Sequence, residues 1–130
     1  MAVSRGLADT SVFIAREAGR PILEDLLPER IAVSVITIGE LRAGVLAATD
    51  TQTRDRRLSA LQAALSLHPV PIDDTVASAW ARLRITLRDQ SLSMPINDSW
   101  IAATAMALEV PVVTQDDGFP NVEEPGVIRV

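Results

Sequence analysis

Three β-branched runs constrain this chain more than any other feature: "IAVSVIT" at 31–37, "VPVV" at 110–113 and "GVIRV" at 126–130. A strand with one wet face alternates apolar and polar residues, whereas these runs barely alternate, as expected for strands buried on both faces. Segments with helical spacing separate them, and a parallel neighbour needs such a crossover. The pattern predicts a three-layer α/β/α sandwich around a parallel sheet of about four or five strands, one domain spanning 1–130.

The expected order starts with a short strand ending near Asp9, a helix from Ser11 to about Gly19 and a short helical piece opened by Pro21. "IAVSVIT" then leads into a helix through "IGELRAGVLAA", whose Gly39 and Gly44 would permit close backbone approach. From Asp50 to Leu67, leucines at 58, 61 and 65 mark an amphipathic helix, with Asp50 and Arg54 spaced as an i,i+4 pair. "HPVPI" reads as a strand, and Asp73 or Asp74 caps a helix striped by Val76, Trp80, Leu83 and Leu87. A helix from Asp98 to about Leu108 is apolar almost all round, so it is expected to be buried, with Asn97 or Asp98 as its cap.

In such a sheet the helix N-termini and strand C-termini gather at one edge, where open α/β folds bind ligands. Asp9, Glu40, Asp98, and Asp116 with Asp117 all fall there. Capping explains Asp9 or Asp98 singly, turn chemistry explains "TQDDGF", and a helical glutamate such as Glu40 is usually a solvated one; yet Glu40 lies inside its helix at the border of the face made by Ile38, Leu41 and Val45, so capping alone does not produce the convergence. Carboxylates about 5 Å apart repel by roughly 3 kcal/mol per pair at an effective dielectric near 20, more than helix dipoles offset. A cation between them resolves this, and oxygen-only ligands select Mg²⁺ or Mn²⁺. Such a site suits phosphodiester hydrolysis.

Composition excludes the alternatives. The chain has no cysteine, and His68, before Pro69, is its only histidine, so thiolate chemistry and histidine-rich zinc sites are absent. His68 is expected as a surface or packing residue, with no serine motif beside it. All 12 cations are arginine and the net charge is −5, which argues against unspecific coating of nucleic acid. Lacking lysine, the chain is no phosphoacceptor receiver domain, and Ser11 stands where a haloacid-dehalogenase-like phosphatase needs a second aspartate. No basic leader with an apolar core is seen in the first thirty residues, so a cytoplasmic protein without a membrane segment is expected.

The motifs "LADTSVFI", "ITIGELRAGV", "PINDSWIAATA" and "VVTQDDGF", in that order over residues 7–119, resemble those of PIN-domain nucleases, most closely VapC-type toxins of toxin–antitoxin pairs. The resemblance implies a Mg²⁺- or Mn²⁺-dependent endoribonuclease with Asp9, Glu40, Asp98 and Asp116 as its acids. Asp9, Asp98 and Asp116 would hold the metal, with Asp117 a substitute for Asp116 because Gly118 stands where relatives often carry another aspartate. Glu40 would be a further ligand or orient the water, and Ser11 and Thr114 would hydrogen-bond to the ligands from behind. Cleavage would leave a 5′-phosphate and a 3′-hydroxyl.

The same resemblance implies a homodimer neutralised by a VapB-like antitoxin. RNA contacts fall to the pairs Arg54 with Arg57 and Arg84 with Arg88, each sharing a helical face, unless these are merely solvated charges beside aspartates. Aromatic content of 3% leaves little for base stacking. Two rival expectations are an RNA-processing nuclease without an antitoxin and a binding module that has lost catalysis.

Overall fold

A computed structural model describes residues 4–130. Four strands, β1 (Arg5–Ala8), β2 (Arg30–Val33), β3 (Val112–Thr114) and β4 (Val127–Arg129), form one parallel sheet in the order β2-β1-β3-β4. Five α-helices surround it: α1 (Thr10–Glu17), α2 (Val35–Ala47), α3 (Thr51–Leu65), α4 (Asp74–Asp89) and α5 (Ile96–Leu108).

Alternation along the strands sorts the core into two layers. Leu7 and Val112 face α4 and α5, packing with Val76, Leu83, Ile101 and Met106. Ala8, Val33 and Val113 face the other way, against Val12 and Phe13 of α1, Leu41 of α2 and Leu61 of α3. The expected three-layer sandwich is thus present, and α5 is buried along most of its length.

The run 31–37 is strand only as far as Val33. Ser34 caps α2 by accepting a hydrogen bond from the amide of Ile36 (3.0 Å), so Val35, Ile36 and Thr37 are helical. "HPVPI" contributes a single bridge, Ser34 to Val70, rather than a strand, because Pro69 and Pro71 lack the donors a ladder needs. His68 is an exposed turn residue with φ of 54°. Past Pro21 the chain makes one 3₁₀ turn, Glu24–Leu26.

The expected pair of Asp50 with Arg54 does not form: Asp50 caps α3 by accepting from the amide and hydroxyl of Thr53, and Arg54 bonds the carbonyl of Ala48 (2.8 Å). Asp73, not Asp74, caps α4 through the amide of Val76. Close backbone approach occurs neither at Gly39, whose surroundings are open, nor at Gly44, which meets only the Arg57 side chain at 3.8 Å. It occurs at Gly6, where a Cβ would stand 2.8 Å from both Pro28 and Val113.

Candidate active site

The strand order places a topological switch between β1 and β3: the chain leaves β1 toward β2 on one side and leaves β3 toward β4 on the other. Ligands of open α/β sheets bind in the crevice at the carboxyl ends flanking such a switch. Asp9 directly follows β1, and Asp116 follows β3 by two residues.

Asp9 is buried, 3% exposed, and caps α1 through the amide of Ser11 (3.0 Å). The hydroxyls of Ser11 and Thr114 also donate to it, the latter at 2.6 Å. Thr114 accepts in turn from the amide of Asp116 (2.9 Å), and Ser11 from the amide of Gln115 (2.9 Å). Two small hydroxyls therefore lace the ends of β1 and β3 together around one carboxylate. Burial pushes the Asp9 carboxyl up, against the lowering effect of these bonds, and the charge of Asp116 adds to the rise.

Asp98 is not a helix cap. Helix α5 begins at Ile96 after Pro95, with no side chain capping it, so Asn97 and Asp98 both lie inside its first turn. The half-buried carboxyl of Asp98 is pushed up to about 6, first by burial and then by the charges of Asp9, Glu40 and Asp116. Those are the four acids of the expected set, drawn from four separate stretches of the chain. Asp116, not Asp117, is the charge felt by both Asp9 and Asp98, while its own Oδ1 accepts from the amide of Gly118 (2.8 Å).

Glu40 is held by residues that the sequence did not single out for this task. Thr10 donates to its Oε1 at 2.6 Å, and Asn97 reaches its Oε2 at 3.4 Å. Asn97 is thus a partner of Glu40 instead of a helix cap. The one available signal was spacing: Thr10 follows Asp9 directly at the mouth of α1.

Among the described residues no group of three or more acids is arranged to close around a metal ion by itself, so an ion held here would complete its shell with water and substrate oxygens. An open, oxygen-only rim fits Mg²⁺ or Mn²⁺ better than a softer metal, because Mg²⁺ keeps several waters and takes only one or two carboxylates directly. Among the described residues no arginine forms an ion pair with any of the four acids.

The PIN-domain family matches residues 7–125. The chain belongs to the PIN-domain family. This PIN domain is 46% identical over 125 residues to Ribonuclease VapC5 of Mycobacterium tuberculosis, covering 96% of this chain and 93% of that protein. It is 47% identical to Ribonuclease VapC4 of the same organism over the full length of both. In three dimensions it matches VapBC-5 of M. tuberculosis, a member of the VapBC family of toxin–antitoxin systems, with a TM-score of 0.87 at 44% identity over 98% of this chain and 99% of that one. FitAcB of Neisseria gonorrhoeae matches with a TM-score of 0.74 at 29% identity, over 94% and 95% of the two chains.

The four arginines expected at RNA separate into two kinds. Arg54 and Arg57 donate to the carbonyls of Ala48 and Gly44 (both 2.8 Å), satisfying the C-terminal end of α2, and neither pairs with an aspartate. On α4, Arg84 lies over the Trp80 ring at 5.1 Å, and exposed Arg88 pairs with exposed Asp89. Trp100, bulky for its place in the α5 motif, stacks on Trp80 at 4.5 Å and 5°, and Trp80 donates to the hydroxyl of buried Ser99 (3.0 Å). Among the described residues no helix is long and apolar enough to cross a membrane.

Proposed function

We propose that this PIN domain is a Mg²⁺- or Mn²⁺-dependent endoribonuclease and the toxin of a toxin–antitoxin pair. The observation that carries the reading is Asp98: a half-buried carboxyl with three acids raising it and, among the described residues, no arginine paired to any of them. Stabilising the ionised form of such a group calls for a cation. Asp9, Asp98 and Asp116 would hold it, with Ser11 and Thr114 fixing Asp9. Once bound, the ion supplies charge for the phosphate in transition and acidity for the attacking water.

The chain's own residues then orient the reaction. Glu40, anchored through Oε1 by Thr10 and reached at Oε2 by Asn97, would orient the water that attacks phosphorus. The water oxygen bonds to phosphorus as the bond to the 3′-oxygen breaks, and the proton that the water gives up is matched by one that the 3′-oxygen takes from solvent, leaving a 5′-phosphate and a 3′-hydroxyl. Arg84 and Arg88, both exposed on α4, are the arginines offered to RNA phosphates.

A VapB-like antitoxin is the proposed partner of a toxin homodimer, supported by the VapBC-5 likeness and by the acidic rim, which attracts guanidinium groups. The test is cleavage of mixed RNA by purified protein: loss on chelation and recovery with Mn²⁺ are expected. Metal-independent cleavage, or binding without cleavage, refutes the reading.

A further inference from the structure

The hydroxyl of Thr10 has one proton, and it is committed to Glu40 Oε1 at 2.6 Å. Thr10 Oγ1 also lies 2.9 Å from Thr37 Oγ1, so in that contact Thr37 must be the donor and Thr10 the acceptor. The bonds therefore run one way, from Thr37 through Thr10 to Glu40. A helical threonine commonly bonds a carbonyl of the preceding turn, but the carbonyl of Val33, four residues back, is taken by the amide of Val70 (2.8 Å). Thr37 is fully buried, and no other side-chain partner of its hydroxyl is seen among the described residues.

We infer that Thr37 is a positioning residue of the reaction: it fixes the Thr10 hydroxyl, which fixes the carboxylate of Glu40 beside Asn97, the neighbour of Asp98. Thr37 and Glu40 lie one turn apart on α2, with Thr10 bridging them from the first residue of α1. Hydroxyls in such a chain polarise one another, so loss of the first donor weakens the bond that reaches the carboxylate. The inference rests on the ribonuclease reading for its kinetic consequence, since Glu40 would act on the water and not on RNA binding.

The decisive variants are Thr37→Val, which removes the hydroxyl at nearly constant volume, and Thr37→Ser, which keeps it. With saturating Mn²⁺, Thr37→Val is expected to lower kcat about 3- to 10-fold with KM unchanged, the size of one neutral hydrogen bond. Thr37→Ser is expected to restore kcat to within about twofold, and Thr10→Val, which strips a bond to a charged group, to lose roughly 10- to 100-fold. In a Glu40→Gln background Thr37→Val is expected to cost nothing further, because the hydroxyl acts only through that carboxylate. Wild-type kcat in Thr37→Val, or the same loss in both backgrounds, overturns the inference. If Thr37→Val fails to fold, Thr37→Ala takes its place under the same criteria: a loss of kcat that Thr37→Ser does not share and that vanishes in the Glu40→Gln background sustains the inference, and wild-type kcat or an equal loss in both backgrounds overturns it. If the wild type shows no metal-dependent cleavage, the ribonuclease reading falls, and crystal structures judge the hydroxyl chain. Release of Glu40 by Thr10 in Thr37→Val then sustains it, and an unchanged pair overturns it.

Discussion

Asp98→Asn separates a ligand from a structural residue, because its effect on stability has a sign that depends on pH. Burial and the charges of Asp9, Glu40 and Asp116 lift the carboxyl from 3.8 to about 6, which is about 3 kcal/mol of destabilisation in the ionised form. Asp98 is half exposed, so solvent screening reduces that to about 1.5 kcal/mol. An acid in the first turn of α5 also gains roughly 0.5 kcal/mol from the helix dipole, which asparagine forfeits. No cap is lost, since Asp98 makes none. The net expectation is a variant about 1 kcal/mol more stable than the wild type once the carboxyl is ionised.

Folding takes up a proton at Asp98 between its unfolded value of 3.8 and its folded value of about 6, so wild-type stability from this group falls as pH rises through that window. Below it both carboxyl and amide are neutral and the advantage vanishes. In chelator, thermal unfolding should place Asp98→Asn about 3–5 °C above the wild type at pH 7.5, with the gap closing near pH 4. Excess Mn²⁺ should stabilise the wild type more than the variant, and the variant should cleave RNA at least about 100-fold more slowly. A gap of equal size at both pH values would refute the electrostatic reasoning, and full activity would refute the ligand role.

Thr114→Val strips a donor from buried Asp9 and an acceptor from the amide of Asp116, and should cost about 1–3 kcal/mol in urea unfolding with a marked loss of cleavage. Arg57→Met removes a bond to the Gly44 carbonyl, so stability should drop by about 0.5–1.5 kcal/mol while the salt dependence of RNA binding stays unchanged. Arg84→Met should instead lower the slope of log K against log salt by about 1, measured by fluorescence anisotropy with a catalytically dead background. Trp80→Phe keeps an aromatic ring on Trp100 but loses the bond to Ser99, for an expected cost of about 1 kcal/mol and cleavage within about twofold of wild type.

The layers of this fold were legible because burial on both faces erases alternation in β-branched strands, and 130 residues are too few for the other architecture that does so, a closed parallel barrel. Where strand passes into helix, the same residue types mislead. Val35, Ile36 and Thr37 look like a continuation of β2, yet Ser34 offers its side chain to the Ile36 amide and turns the chain into α2. β-branching lowers helix propensity only slightly, and a cap with tertiary packing outweighs it. Prolines 69 and 71 in "HPVPI" were the overlooked warning against a fifth strand.

The acids were legible for a different reason: their positions follow from topology. A residue just beyond a parallel strand, or in the opening turn of the helix that follows, lies at the carboxyl edge whatever its rotamer. What holds each acid follows from side-chain direction, and that is fixed only when separate elements meet. Asn97 adjoins Asp98 in sequence and would serve as a cap, but Pro95 starts α5 earlier, and the amide turns to Glu40 on a different helix. The hydroxyls of Thr10 and Thr37 likewise find each other across 27 residues of chain. An acidic rim can therefore be drawn from sequence, whereas the hydrogen bonds that orient it emerge from packing, and variants of those hydroxyls are where the two levels of description can be tested apart.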